Sequence, residues 1–437
     1  MAAIFFSSVV VCAALIGFLL LTKLAWRIAT DVPNNRSLHT TPIPRVGGWG
    51  VVPAMVGVSL YFGLSEWIVP TLAVVLFAVS YADDRLGLPI IVRLPVHAAA
   101  AAAWLAFGPL GLPFATAALA VFAIVWVTNL FNFMDGADGL AGGMAVFAFG
   151  TYAIVAGNAG AAPLALWAAS IAGAAAGFLL FNVNPARVFL GDAGSITIGF
   201  FAGAFGIWGW AAETWPVWFP FLVSAPFFLD ATATILRRMF GGEPFWRAHR
   251  EHYYQRLIRS GWSHRRTAIC EYVLMGASAG LAMLMLDWAP AAQYAGLVGV
   301  AAVYVMLAWA VDRRWAVFQH QASVHKAIER SVVQGAAALH KRGVPRASTQ
   351  HGGYIGEAIK ISHLDAASAV PVAGRQHHTR TPVDDRAFQH DSENTEAKFK
   401  AATAVAVTRT GGHDTCSGAL RSGRPALPER PSQDDRA

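Results

Sequence analysis

Residues 115–156 read ATAALAVFAIVWVTNLFNFMDGADGLAGGMAVFAFGTYAIVA, a polar segment between two apolar runs. The polar segment, residues 129–143, contains two carboxylates, two amides and four glycines. Carboxylates are costly inside a bilayer, so beside membrane spans they usually lie at an interface or in a site. Glycine has no Cβ atom, which lets a large anionic ligand approach the backbone closely. The stretch therefore predicts two membrane-spanning helices joined by a loop with binding chemistry.

The rest of the chain extends this pattern. Hydrophobic residues make up 55% of the 437 residues and charged residues only 14%. A soluble all-α core would need far more polar helix faces than the apolar runs offer. We therefore predict an all-α polytopic membrane helix bundle of about eleven transmembrane helices. The predicted spans are roughly 4–25, 48–65, 67–82, 94–107, 114–131, 143–158, 163–181, 196–212, 215–235, 268–287 and 290–311.

Basic residues give the bundle an orientation. With the N-terminus outside, every Lys and Arg up to Arg314 falls on the inner side. The first span carries its basic residues, Lys23 and Arg27, after the apolar stretch, which is typical of an anchor rather than a cleaved signal peptide. The positive-inside rule thus places the inner loops in the cytoplasm. Lys and Arg are absent from the outer turns, which lie near Glu66, residues 108–113, residues 157–163, Glu213 and Asp287.

The composition changes after about Trp315. Long apolar runs stop, and Gly, Ala, Ser, Thr, Arg and His are scattered without a sustained helical period. We expect two regions: a multi-pass membrane domain of residues 1–314, and a low-complexity, disordered cytoplasmic tail of residues 315–437.

All unusual polar segments fall on the cytoplasmic side: residues 31–48, 81–94, 129–143, 181–195 and 237–266. Two of them carry carboxylates in patterns that suit a cation. Asp83 and Asp84 are adjacent and repel unless a cation or a shared proton relieves them. Asp192 follows Gly191 at the start of an apolar span. Mg²⁺ prefers one or two carboxylates together with substrate phosphates. The alternatives are solvated aspartates in a turn and a helix cap at Asp192.

The remaining segments supply amides and cations. Helical spacing would put Asn132, Asp135 and Asp138 on one face, whereas Asp138 and Asn129 could instead be helix caps. Arg and His side chains could hold phosphate groups, or form interfacial basic segments that contact anionic lipid. A zinc site with two histidines is a further alternative. The candidate phosphate-binding and amide residues are Arg36, His39, Arg45, Asn182, Arg187, His249 and His252.

The ordered motifs resemble one family, the polyprenyl-phosphate N-acetylhexosamine-1-phosphate transferases, which are relatives of the phospho-muramoyl-pentapeptide translocase within glycosyltransferase family 4. The resemblance runs from about residue 31 to residue 314. The motifs are PNNRSLH at residues 33–39, PRVGG at 44–48, DDR at 83–85, the segment 129–143, NVNP at 182–185, GDAGS at 191–195 and AHREHYYQRL at 248–257.

This resemblance implies transfer of a sugar-1-phosphate from a UDP-N-acetylhexosamine to undecaprenyl phosphate, with release of UMP. It implies Mg²⁺ as cofactor, with Mn²⁺ as the alternative ion, and a bacterial inner-membrane enzyme whose active site is cytoplasmic. The expected partners are the two substrates and membrane lipids, with no nucleic acid; a homodimer is left open. Asp192 and Asn132 are the implied metal ligands. Four aspartates are the implied catalytic residues: Asp83 and Asp84 would orient or deprotonate the lipid phosphate and support the metal, and Asp135 and Asp138 would shape the nucleotide-sugar pocket. The implied substrate-binding residues are Arg36, His39, Arg45, Arg93, Asn129, Asn182, Arg187, His249, Arg250 and His252.

Two features depart from the family pattern. The last loop has His249-x-x-His252 rather than a His-rich triplet, so it is more similar to the branch that starts O-antigen and related glycans. This leaves open which UDP-sugar is the donor. The tail after Trp315 matches no part of the family pattern. Two other function classes stay as alternatives, a polyprenyl-linked flippase or transporter and a CDP-alcohol phosphotransferase, although the second lacks its further spaced aspartates here.

Overall fold

The apolar segments of the sequence fold into helices. The computed structural model describes residues 1–33, 41–244 and 249–341, which belong to one compact unit. In these ranges each of the eleven apolar segments coincides with a helix or with one broken pair of helices. They are α1 (Ala2–Leu21), α3 (Gly47–Tyr61), α4 (Ile68–Leu86), α5 (Ile90–Phe107), α6 (Phe114–Met134), α7 (Leu140–Asn158), α8 (Ala162–Asn182), α9 (Asp192–Ala211), the pair α10 (Phe219–Val223) and α11 (Ala225–Phe240), α13 (His264–Met285) and α14 (Pro290–Lys341). The two short helices are α2 (Leu24–Ile28) and α12 (Tyr253–Arg259).

Within the described ranges, eight helices are long and apolar enough to cross a membrane: α1, α5, α6, α7, α8, α9, α13 and α14. The protein is thus a mostly helical, multi-pass membrane protein, as the composition predicts. The other three segments differ for local reasons. Helix α3 has only 15 residues, and the last turn of α4 carries three charged residues. Ser224 interrupts the helix between α10 and α11.

The last helix corrects part of the prediction for the tail. Helix α14 has 52 residues and continues through Trp315 to Lys341. The expectation of a structureless tail from residue 315 is therefore wrong for residues 315–341. Residues such as Ala, Gln, Glu, Lys and Arg in this stretch favour helix even without an apolar period. The division at residues 314/315 stays a prediction, and the remainder of the tail lies outside the described residues.

Helix α9 lies at the centre of the bundle. Its residues from Ala193 to Gly209 are buried, whereas none of residues 290–311 in α14 is fully buried. Small residues let neighbouring backbones approach α9 closely, as is usual where membrane helices pack. A Cβ atom at Gly199 would lie 2.9 Å from the carbonyl oxygen of Thr128 in α6. The start of α9, which carries Asp192, is thus held by tightly packed neighbours.

A short extended segment joins the first polar loop to the start of α9. Strands β1 (Thr30–Asp31) and β2 (Ile43–Pro44) pair antiparallel. The chain after β2 then bonds to the segment before α9, through Gly47 N–H to the oxygen of Phe189 (2.9 Å) and Gly48 N–H to that of Leu190 (2.9 Å). These bonds bring two polar segments that are about 140 residues apart in the sequence to one end of the bundle.

Candidate functional site

Two arginines and four aspartates meet at the end of the bundle where α4 ends and α9 begins. Arg45 lies 3.0 Å from a carboxylate oxygen of Asp31 and 3.6 Å from one of Asp84. Arg93 lies 2.8 Å from Asp83 and 3.8 Å from Asp192. We call these six residues the acidic cluster. It joins three of the five polar segments and contains five of the candidate residues: Asp83, Asp84, Asp192, Arg45 and Arg93.

The adjacent carboxylates Asp83 and Asp84 have different surroundings. Helix α4 ends at Gly87, which has a φ of +63°, a conformation that glycine adopts without strain. The turn lets the N–H of Leu88 donate to Asp83 at 2.7 Å, beside the bond from Arg93. Asp84 faces the start of α9, where the N–H of Ala193 lies 3.5 Å from its carboxylate. A helix N-terminus favours negative charge, so α9 stabilises this carboxylate.

The segment that follows α6 lies against the acidic cluster. Ser195 in α9 donates to the side-chain oxygen of Asn132 at 3.1 Å. Asp135 directly follows α6 and is half-buried. Burial raises the pKa of Asp135 well above its usual range, and the negative charge of Asp192 raises it further. A cation between these carboxylates would favour their charged forms.

Asp138 and Asn182 tie the same segment to the chain beyond α8. Asp138 accepts from the amide of Asn184 at 2.8 Å and from the N–H of Ala186 at 3.1 Å. Asn182 accepts from the N–H of Gly139 at 2.9 Å and donates to the carbonyl of Val188 at 2.8 Å. Both side chains are buried and their bonds hold two segments in register. The roles predicted for Asp138 in the pocket and for Asn182 in substrate binding stay predictions.

Sequence analysis missed Asp230, which organises the last polar segment. This buried carboxylate in α11 accepts from the N–H groups of Tyr253 (2.9 Å) and Tyr254 (3.1 Å) at the start of α12. It also lies 3.3 Å from Nδ1 of His252. A carboxylate supplied from another helix thus satisfies N–H groups that the first turn of α12 leaves unpaired. The available signal was a single Asp within an otherwise apolar predicted span.

Helix α12 brings the last polar segment to the others. The hydroxyl of Tyr254 donates to the carbonyl of Phe133 at 3.4 Å. The ring of His252 stacks 6.2 Å from that of Phe133, and the ring of His249 lies 4.9 Å from that of His252. Burial, then the neighbouring His252, lower the pKa of His249 to about 4. His249 is therefore neutral at pH 7.

Two candidate residues bond to nearby helix carbonyls instead of joining the cluster. Asn129 donates to the carbonyl of Val125 at 2.7 Å. Arg187 is exposed, lies over the ring of Phe181 and donates to the carbonyl of Leu180 at 3.1 Å. Arg36 and His39 lie outside the described residues. The substrate-binding roles of these four residues stay predictions.

The donor atoms of the site suit a hard divalent cation. Asp84, Asp135 and Asp192 offer carboxylate oxygens and Asn132 offers its amide oxygen, and oxygen is the ligand atom that Mg²⁺ prefers. In the described part of the chain, no group of three His, Cys, Asp or Glu residues stands ready to hold a metal ion. Mg²⁺ usually takes one or two protein carboxylates and completes its shell with substrate phosphates and water, so these residues fit it.

Known membrane sugar-phosphate transferases are similar to this chain in sequence. The model of the family described as "Glycosyl transferase family 4" matches residues 67–209, which run from the start of α4 almost to the end of α9. The chain is 30% identical over 297 residues to a decaprenyl-phosphate N-acetylglucosaminephosphotransferase of Mycobacterium tuberculosis, covering 57% of this chain and 73% of that protein. It is 27% identical over 285 residues to a probable undecaprenyl-phosphate N-acetylglucosaminyl 1-phosphate transferase of Bacillus subtilis, covering 60% of this chain and 80% of that protein. It is 25% identical over 333 residues to an undecaprenyl-phosphate alpha-N-acetylglucosaminyl 1-phosphate transferase of Escherichia coli K12, covering 69% of this chain and 88% of that protein.

The fold and the site together define a class of protein. It is a multi-pass helical membrane protein with acidic and basic side chains gathered at its helix ends. Within that class, the chain belongs to glycosyl transferase family 4. The resemblance that the ordered motifs indicated is confirmed.

Proposed function

We propose that the protein transfers N-acetylglucosamine-1-phosphate, or the 1-phosphate of a closely related N-acetylhexosamine, from its UDP-sugar to undecaprenyl phosphate. This would be the first membrane step in the synthesis of a cell-envelope glycan such as O-antigen. The observation that carries the proposal is the acidic cluster, where Arg45 and Arg93 lie among four carboxylates at the start of α9. Acids and cations together suit a metal-bound diphosphate better than either alone. The names of the relatives support the same donor and acceptor.

In the proposed reaction an oxygen of the lipid phosphate attacks the β-phosphorus of the UDP-sugar. The bond from that phosphorus to the bridging oxygen breaks, and UMP leaves with this oxygen. The acceptor is already an anion, so the step needs alignment and charge neutralisation more than a strong base. Mg²⁺, or Mn²⁺ in its place, would neutralise part of the diphosphate charge when bound.

Each part of the site has a role in this proposal. Asp192 and Asn132 would hold the metal, and Asp84 would support it from the end of α4. Arg45 and Arg93 expose 36% and 34% of their side chains, so each guanidinium has a face left for a phosphate oxygen. Asp83 would hold Arg93 in place. Asp135 and Asp138 would shape the nucleotide-sugar pocket, and Arg250 with neutral His249 would contact the donor phosphates.

We also infer the arrangement in the membrane. All eleven helical segments would cross the bilayer, with the N-terminus outside and the acidic cluster at the cytoplasmic face of a bacterial inner membrane. Support comes from the Lys and Arg distribution and from the position of the cluster at helix ends. A transporter would instead place its ionisable groups near the membrane midplane in broken helices.

The direct test is UMP release by membranes that contain the protein, supplied with undecaprenyl phosphate, Mg²⁺ and one UDP-sugar at a time. We expect release with UDP-N-acetylglucosamine, and a panel with UDP-N-acetylgalactosamine and a 6-deoxy N-acetyl sugar ranks the donors. Asp192→Asn should lower the rate at least about a hundredfold, since a metal-bound charge contributes several kcal/mol to the transition state.

The matched control is Glu213→Gln, an exposed carboxylate at the opposite end of the bundle, which should release UMP like the wild type. Equal rates for Asp192→Asn and wild type, at equal protein amounts in the membrane, would contradict the metal role. Absence of UMP release by the wild type with every sugar would instead favour a flippase or a CDP-alcohol phosphotransferase.

A further inference from the structure

The inner half of α14 is bonded to helix α12 through one carboxylate. Asp312 accepts a charged hydrogen bond from Arg256 of α12 and lies 3.5 Å from Arg237 of α11. It also accepts from the hydroxyl of Tyr253 at 3.4 Å. Asp312 thus contacts the two other helices that frame the last polar segment.

Aromatic and backbone contacts from the two residues Arg314 and Trp315 extend this junction beyond Asp312. The ring of Trp315 lies 5.7 Å from the guanidinium of Arg256 and 4.6 Å from that of Arg259. Arg314 donates to the carbonyl of Ser260 at 2.7 Å, at the end of α12. Cations stacked on aromatic rings and bonded to a helix C-terminus both favour this docking.

The opposite face of α12 touches the candidate site. Tyr254 is fully buried, and a Cβ atom at Gly136 would clash with its hydroxyl oxygen. The same hydroxyl donates to the carbonyl of Phe133, so Tyr254 contacts the segment that carries Asp135. The turn before α12 holds His249 and His252. A shift of α12 would therefore move both the histidines and the 129–143 segment.

Charge explains why one carboxylate matters at this junction. Arg256 exposes only 9% of its side chain and has Arg237 as a cationic neighbour. Burial and Arg237 together lower the pKa of Arg256. Asp312 is the carboxylate that bonds to both guanidiniums. Its removal would take the ion-pair partner from the buried Arg256 and would leave Arg237 to its longer contact with Glu251 at 3.9 Å. Breaking a buried ion pair in this way is destabilising.

We propose that Asp312 is a positioning residue: by bonding Arg237, Arg256 and Tyr253 it fixes α12, and through α12 it fixes the donor-side wall of the site. This inference rests on the proposed function for its kinetic consequence. The donor-side wall comprises His249, His252, Tyr254 and the 129–143 segment. Among the described contacts, Asp83 and Asp84, which would act on the lipid phosphate, bond to none of the three residues that Asp312 holds.

The kinetic test compares Asp312→Asn, Asp312→Glu and the control Asp287→Asn, which alters an exposed carboxylate in the turn before α14. For Asp312→Asn the KM for the UDP-sugar should rise about fivefold or more, the effect of losing one well-placed ion pair. The KM for undecaprenyl phosphate should stay unchanged. Asp312→Glu should restore the donor KM to within about twofold of the wild-type value. The control Asp287→Asn should have the same donor KM as the wild type.

A second readout does not depend on activity. Hydrogen exchange of the purified full-length protein should become faster in peptides that cover residues 249–259 of Asp312→Asn, while peptides from α13 stay protected. Tyr253→Phe removes only one hydroxyl from the junction and should give a smaller change of the same sign, so it replaces Asp312→Asn if that variant does not accumulate.

The outcomes separate the two proposals. Unchanged donor KM and unchanged exchange in α12 would overturn the positioning role, as would an equal rise of both KM values. A parallel loss of protection in α13 would also overturn it, since Asp312 would then support the whole bundle. If the wild type releases no UMP but exchange in α12 still depends on Asp312, the proposed function fails and the junction stands.

Discussion

His249 illustrates how position alters the chemistry of a single residue. As a free side chain it would titrate near 6.5, and the sequence allowed a protonated histidine that holds a diphosphate. Burial and the neighbouring His252 lower its pKa to about 4. At neutral pH His249 is therefore a neutral hydrogen-bonding group, next to Arg250 in the chain.

This difference predicts a pH dependence. The ratio of UMP release by the wild type and by His249→Gln should stay constant between about pH 6 and pH 8, because His249 remains neutral throughout. Below pH 6.5 the lowered pKa of His249 determines whether the folded loop gains or loses stability. A loop that opens or unfolds binds the proton more readily than the folded form, so the folded loop loses stability as the pH falls towards 4. Rates measured across pH 4 to 8 check both statements; a tenfold change in the ratio around pH 7 would contradict them.

The pair Asp83 and Asp84 shows a second effect at the residue scale. Asp83 is bonded at 2.7–2.8 Å to Arg93 and to a backbone N–H, whereas Asp84 lies 3.6 Å from Arg45 and 3.5 Å from the N–H of Ala193, and also accepts from the N–H of Asp192. A carboxylate with long contacts can exchange them for a metal or a phosphate-bound water at lower cost. This favours Asp84 over Asp83 as the residue that meets a ligand.

At the scale of elements, the contact between α3 and α9 determines where Asp192 lies. Helix α3 begins with Gly47 and Gly48, the first turn of α9 contains Gly194, and the two backbones touch there. A Cβ atom at Gly48 would lie 2.6 Å from the backbone nitrogen of Gly194, a distance that no side-chain rotation can relieve. The first turn of α9 carries Asp192, so this contact connects packing to the site.

We therefore expect Gly48→Ala to displace the first turn of α9. Overpacking of this kind costs roughly 1–3 kcal/mol, and displacement of Asp192 should lower UMP release at least about tenfold. Gly57→Ala is the matched control on the same helix, since a Cβ atom there meets nothing within 4 Å. UMP release and protein amount are measured together. Equal activity of the two variants would show that α9 tolerates the shift.

At the scale of the whole molecule, the proposed function requires five distant segments to share one membrane face. Contacts among the described residues link them: the acidic cluster joins three, Asn132 adds the fourth through Ser195, and Tyr254 adds the fifth through Phe133. In lipid, the backbone N–H and C=O groups of a spanning helix form hydrogen bonds within that helix. Polar contacts between distant segments therefore arise where the ends of helices meet.

Topology can be tested with single cysteines after replacement of Cys12, Cys270 and Cys416. Cysteines at Gly111, Asn158 or Glu213 should react with a membrane-impermeant thiol reagent in intact cells. Cysteines near Arg45, Gly87, Asn184 or Arg259 should react only after permeabilisation, because the positive-inside rule places them in the cytoplasm. Labelling of any of these four from outside would contradict a single cytoplasmic site.

Local composition was sufficient to predict the helical segments. Each apolar run became a helix because a chain in lipid has to pair its own backbone groups, and that requirement depends only on neighbouring residues. Boundaries were less certain: α4 continues to Leu86, so Asp83 and Asp84 lie in its last turn rather than beyond it. The helical continuation of α14 past Trp315 was missed because its apolar period ends there while its helix-forming residues do not.

The sequence by itself determined that this is a multi-pass helical membrane protein of glycosyl transferase family 4, since apolar run lengths and ordered motifs are properties of the chain alone. Only the tertiary structure decided which residues meet. Asp84 and Ala193 are 109 residues apart, and Arg256 and Asp312 are 56 apart. Pairings across such distances depend on how whole helices pack, and no local pattern records them. For this reason the bonds of Asp138 and Asn182, the cap from Asp230 and the junction at Asp312 appear only in the folded protein.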